Sequence, residues 1–155
     1  MVRLVLTLTV VLLAGCSAGA DERLTKDEYQ QRILDLAGGE DATEAIQLFT
    51  DSVAQDYGRA ECAARLQQLH GRLESILEEV AEIHPPEDAE EAQREFLAAG
   101  RDSVDQVDEI ADEVSSGQLR CGQALTKQLY GMSSTNRARE ALARLENSGY
   151  FIFGD

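Results

Sequence analysis

Three cysteines, two histidines and a dense run of carboxylates are the side chains with chemistry to offer in this chain. Cys62 and Cys121 are internal, and neither has a second cysteine or a histidine at zinc-ligand spacing, where a closed site takes about four ligands. His70 and His84 have no partner at a spacing that suggests a triad or a metal site, and read as ordinary surface and turn residues. Asp102, Asp105, Asp108, Glu109, Asp112 and Glu113 recur at helical spacing. Calcium and magnesium favour clustered carboxylates, yet the run lacks the alternating acids and central glycine of an EF-hand loop. A straight helix also turns neighbouring carboxylates outward, so the run reads as a solvated face. Glu87, Asp88, Glu90 and Glu91 are acids of a first helical turn, where they complement the helix dipole. There is no GxSxG, no HExxH, no phosphate-cradling glycine loop and no Rossmann fingerprint. The sequence therefore predicts no catalytic residue, no bound metal, no cofactor and no enzymatic activity.

The third cysteine has a different setting. Met1-Val2-Arg3 places one positive charge ahead of the apolar run 4–14, and Leu13-Ala14-Gly15-Cys16 closes it. The run falls well short of the ~20 residues of a membrane-spanning helix and matches the core of a signal peptide. Small residues followed by Cys resemble a bacterial lipobox. That resemblance implies a signal peptide over 1–15, a lipid-carrying Cys16 at the start of the mature chain, a short tether over 16–23 and a folded domain over 24–155. Lipoprotein maturation, on this resemblance, supplies at least two acyl chains, and two hold stably where one binds only marginally. The tether would reach on the order of 15 Å, so the domain is expected close to the extracytoplasmic face of the cell membrane. Cys62 and Cys121 are then an even pair in an oxidising compartment and read as one disulfide, with two buried free thiols as the alternative. In the chain-entropy picture, closing a loop of about 60 residues contributes on the order of 4 kcal/mol.

The elements that position these residues are helical. Thr25-Lys26-Asp27-Glu28 has capping-box form with Leu24 and Tyr29 as a hydrophobic staple, and Gly38-Gly39 ends that segment. Asp41-Ala42-Thr43-Glu44 reads as a second start, with Asp41 as N-cap and Ile46, Leu48, Phe49 and Val53 as its apolar residues; Gly58 breaks or weakens it. Cys62, Leu66, Leu69, Leu73, Ile76, Val80 and Ile83 advance in steps of four and three up to Pro85-Pro86, and Leu97, Gly100, Val104, Val107, Ala111 and Val114 repeat the steps beyond it. Two such helices, about 59–83 and 87–115, joined by a proline turn fold back as an antiparallel hairpin. Leu119, Cys121, Leu125, Leu129 and Met132 suit a shorter returning helix carrying Cys121 near its start. Ser133 to Asn136 offers caps for a last helix through Ala138, Leu142 and Leu145. The predicted fold is all-α: an antiparallel bundle of four to five helices around a long central hairpin, pinned by one disulfide. Gly100 and Ala111 among larger seam residues hint at unfilled space.

The chain holds 14 basic and 29 acidic residues, a surface that anionic lipid and phosphate backbones repel. Nucleic acid is therefore excluded as a partner. Residues 21–116 carry 26 acids and 8 bases, whereas 117–148 carry five bases against Glu140 and Glu146. The basic segment reads as packing beside the acidic one, with a basic docking patch as the alternative. Tyr150-Phe151-Ile152-Phe153 either folds back to cap the bundle or forms an exposed partner-binding hook. Leu24-Thr25-Lys26-x-Glu28-Tyr29, the two later cysteines, and the Pro-Pro turn followed by Phe96 resemble helical lipoproteins of high-GC Gram-positive bacteria. The expected function is a membrane-anchored, non-catalytic binding or accessory module of the cell envelope, with an envelope protein as partner. The rival is a small-ligand or divalent-cation binder using the acidic face or a bundle cavity.

Overall fold

The four-and-three spacing of apolar residues on either side of Pro85-Pro86 becomes the centre of the structure. The computed structural model describes residues 23–55 and 57–150, so the lipobox with Cys16 and the tail residues Phe151, Ile152 and Phe153 lie outside the described residues. Six helices follow one another: α1 Lys26–Ala37, α2 Glu40–Ala54, α3 Arg59–Ala81, α4 Glu90–Ser116, α5 Gln123–Tyr130 and α6 Ser133–Asn147. Among the described residues there is no strand. The fold is an all-α bundle, as the periodicity predicts.

α3 and α4 form the antiparallel hairpin. Cys62, Leu66, Leu69 and Val80 of α3 are buried, as are Val104, Val107, Ile110, Ala111 and Val114 of α4. α2 packs on α3 and α6 on α4, with α5 reaching back to α2. Two clusters result. The larger joins α2, α3, α4 and α5 around Leu48, Leu66, Leu69, Val107, Val114, Leu125 and Leu129. The smaller sits at the proline turn, where Tyr29, Ile83, Ala89, Ala92, Leu145 and Tyr150 meet.

Helix ends follow local chemistry, with several departures from expectation. Thr25 makes the capping box: its hydroxyl accepts from the Glu28 N–H, and Glu28 accepts from the Thr25 N–H at 3.0 Å. Asp41 is not an N-cap. Gly39 is, and Asp41 lies in the first turn of α2, where its carboxylate accepts from Arg72 at 2.7 Å and Ser75 at 2.9 Å on α3. A tertiary ion pair has taken the side chain that a local cap would have used. α4 begins at Glu90, so Glu87 and Asp88 belong to the turn before it. The Ala89 N–H donates to the Pro86 carbonyl at 3.0 Å and closes a turn over 86–89 ahead of the helix.

Cys121 also departs from the predicted helix. α4 ends in a Schellman motif: Gly117 is left-handed at φ 80°, its N–H donates to Val114, and the Gln118 N–H donates to Glu113. Gly122 at φ 90° opens α5. Cys121 therefore sits in the connecting turn, bonded to Cys62 with the two Cα atoms 6.3 Å apart. Gly131 and an extended Met132, at φ −63° and ψ 124°, separate α5 from α6 where the capping residues Ser133 to Asn136 place a new start, so the described residues hold six helices where the bundle was expected to have four to five.

One buried polar residue has a structural role that periodicity does not reveal. Gln93 is 5 % exposed. Its Nε2 donates to the carbonyl of Ile83 at 2.8 Å, just beyond the end of α3, and to that of Val80 at 3.1 Å, which also accepts from the Ile83 N–H at 3.2 Å. Gln93→Ala would take this donor from the buried Ile83 carbonyl and is expected to lower stability by about 1–3 kcal/mol in urea unfolding. Replacing Cys62 and Cys121 together with Ala is expected to cost on the order of 4 kcal/mol, read as a lower thermal midpoint that reductant no longer shifts.

Candidate functional site

The carboxylates, the most abundant reactive groups, are divided between ties and solvent. On α4, Asp102 pairs with Arg137 and Glu95 with Arg144, both arginines coming from α6. Glu113 accepts from Gln128 of α5 at 2.9 Å. Asp105, Asp108, Glu109 and Asp112 are exposed. Among the described residues no group of three or more His, Cys, Asp or Glu gathers where it could hold a metal ion. On the other flank, Arg72 bridges Asp41 and Glu44 of α2 at 2.7 Å each. Arg65 faces Asp51 of α2 while its guanidinium lies 4.2 Å from the Tyr57 ring centroid. These charges hold α2 and α6 against the hairpin. The basic residues of α6 that pair with α4 are thus packing partners of the acidic segment rather than a free patch.

Gly100 does not mark a void. Leu77 of α3 fills the space opposite it, close enough that a Cβ at position 100 would lie 3.1 Å from Leu77 Cδ1. Beside this contact is a cleft of about 390 Å³ between Glu74, Leu77 and Glu78 of α3 and Arg101, Val104 and Asp105 of α4. His70 is half-buried on α3 and His84 exposed in the turn, where its carbonyl accepts from the Leu24 N–H at 3.0 Å.

Tyr150 is fully buried, as in the reading that folds the tail back onto the bundle and unlike an exposed hook, while Phe151, Ile152 and Phe153 lie outside the described residues. α6 ends in a second Schellman motif, with Gly149 at φ 81° and the Tyr150 N–H donating to Leu145. That turn drives the ring inward. It meets Tyr29 edge-on at 5.6 Å, its hydroxyl donates to Asp88 at 2.6 Å, and Lys26 Nζ lies 4.5 Å over its face. Lys26 also donates to the Ser148 carbonyl at 2.7 Å, so the start of α1 and the end of α6 clasp each other.

Burial pushes the Tyr29 phenol up to about 12, and burial with the neighbouring Asp88 carboxylate pushes Tyr150 up as well. Both folded values exceed the unfolded value near 10. Their contribution is therefore intact below about pH 10 and lost as pH rises through the folded values. Alkaline titration followed by circular dichroism should show stability falling from about pH 10 upward, with a shallower fall in Tyr29→Phe.

The surface feature that sequence reasoning missed lies on α2 and α5. Ile46 and Tyr130 are each 65 % exposed, the large hydrophobic side chains that stand out among the described residues. Phe49, one turn from Ile46, touches the Tyr130 ring edge-on at 5.3 Å. Ile46 looks like part of the buried stripe of α2, but the buried residues are Ala45, Leu48 and Ser52. No helix among the described residues is long and apolar enough to cross a membrane. No family model, no curated protein and no solved structure matches this chain.

Proposed function

We propose that this protein is a lipid-anchored accessory module of the cell envelope that acts by contact rather than by catalysis. The observation that carries the reading is how its polar groups are used. Asp41, Asp102, Glu95, Arg65, Arg72, Arg137 and Arg144 tie helices together, while Ile46 and Tyr130 stand in solvent with Phe49 behind them. The charged side chains named here serve the scaffold, and Ile46 and Tyr130 offer apolar contact at the surface. The lipobox-like Leu13-Ala14-Gly15-Cys16 supports attachment to the extracytoplasmic face of the membrane through Cys16.

The geometry of the described chain fits such an attachment. Arg23 and Leu24 lie at the proline turn, with Arg23 paired to Glu90 at 2.7 Å. A tether entering there would hold the turn near the lipid. The disulfide end would stand away by about the length of α4, whose 27 residues rise roughly 40 Å.

Two measurements test the reading. Cys16→Ser should move the protein from the membrane fraction to the soluble fraction without changing its circular dichroism; retention in the membrane would overturn the anchor. Thermal unfolding with Ca²⁺, Mg²⁺ or Zn²⁺ at micromolar concentration should leave the midpoint unchanged. A rise specific to one ion would instead make this a cation binder, since a ligand selective for the native state raises apparent stability.

A further inference from the structure

The cavities of this surface differ in the charge of their walls. The α3–α4 cleft sets Arg101 among Glu74, Glu78 and Asp105, and a cavity where α1 meets α2 sets Arg32 among Asp35, Glu40, Asp41 and Glu79. Another, of about 260 Å³, lies beside the disulfide, and none of its described lining residues is an acid. Arg59 at the start of α3 and Arg120 in the turn after α4 both line it, together with Tyr57, Val114, Leu119 and Cys121. Neither guanidinium pairs with a carboxylate among the described residues, although the chain holds 29 acids against 14 bases. Arg137 and Arg144 of the same basic segment are tied to α4, whereas Arg120 is not.

Arg59 lies over the turn that ends α4. A Cβ at Gly117 would be 2.6 Å from its Nη2 and 2.7 Å from its Cζ, so the guanidinium takes space that a glycine leaves free. Arg59 also lines a shallow groove of about 660 Å³ with Ala60, Ala63, Ala64, Gln67 and Ser115, again with no acid among the described lining residues. Of the acids close in sequence, Glu61 pairs with Arg65 and Glu113 accepts from Gln128, while Asp56 lies outside the described residues. Charges farther than ~8–10 Å are largely screened at physiological salt, so the local walls outweigh the net −15 of the chain.

A cavity with two unneutralised guanidinium groups selects an anion. Their forked donors match the oxygens of phosphate and carboxylate. Two positive charges balance a dianion, and a phosphate monoester carries about −1.5 to −2 near pH 7. The groove beside Arg59 offers an amide and a hydroxyl over small alanine side chains, which suits a compact hydroxylated body. We propose that these adjoining cavities bind a small soluble phosphate monoester, with its phosphate between Arg59 and Arg120 and its body along Ala60, Ala64 and Gln67. Binding does not depend on the lipid anchor. With the proposed attachment, the site stands about the length of α4 from the membrane, which favours a soluble ester over a lipid headgroup.

The test is isothermal titration of the detergent-solubilised full chain. Glycerol 3-phosphate should bind saturably at one per chain, inorganic phosphate more weakly, and glycerol not at all. Arg59→Gln and Arg120→Gln should each weaken the ester at least about tenfold, since each removes charge-assisted donors, whereas Arg101→Gln leaves affinity unchanged. Gln67→Ala should weaken the ester and leave inorganic phosphate as before. All four side chains are exposed, so thermal midpoints should stay within roughly a few degrees of the parent. Absence of binding by both phosphate compounds, or binding that survives the double arginine variant, would overturn the site. Tighter binding of succinate would overturn phosphate as the ligand class. Binding only to phosphatidylcholine vesicles carrying phosphatidic acid would overturn the soluble source. Each of these failures leaves the accessory role and its anchor standing, because neither uses Arg59 or Arg120.

Discussion

Two helices of 23 and 27 residues laid side by side bury one stripe each, and everything else in this molecule is built against the stripes they leave. The α3–α4 seam works because its residues return every three or four positions and because both ends of the hairpin are held. Pro85-Pro86 closes one end and the Cys62–Cys121 bond fastens the other. Between those points the register is fixed by Leu77 lying against Gly100 and by Gln93 closing the end of α3. A shift of one turn would lift Leu77 off the glycine and take the Gln93 amide from the Ile83 carbonyl.

Electrostatics then decides how the outer helices attach. A strongly acidic chain resists compaction through self-repulsion, and this one places its arginines where they divide the acids. Arg65 and Arg72 face α2 from α3, and Arg137 and Arg144 face α4 from α6. Each such exposed pair is worth no more than about 1 kcal/mol. Their value lies in orientation, because they fix which side of each outer helix turns inward. The acids left over are dense on α4 and the C-terminal half of α3, whereas α2 adds Glu40 alone among its exposed residues and α5 has no acid.

The hairpin was legible in the sequence because burial imposes a period, and a period survives without knowledge of the partner. The Thr25–Glu28 box was legible for a similar reason: cap and helix lie within one turn. What stayed hidden depends on residues distant in sequence. Asp41 reads as a cap until Arg72, 31 positions away, claims its carboxylate. Gln93 carries no signal in the apolar spacing, and its role is visible once the end of α3 is placed over it. Tyr150 reads as part of an aromatic tail until Gly149 turns it onto Tyr29 and Asp88. The α2–α5 face was hidden because an apolar residue outside its stripe cannot be told from one within it until the neighbouring helices fix the stripe's direction.

The clasp between Lys26, Ser148 and Tyr150 has a mechanical consequence. Tension entering through the first described residues meets α1, the Leu24–His84 hydrogen bond and the Tyr29–Tyr150 contact before it reaches the cross-linked half. Those contacts belong to the smaller cluster, which the sulfur bridge does not reach, so that end can open under load while Cys62 and Cys121 stay joined.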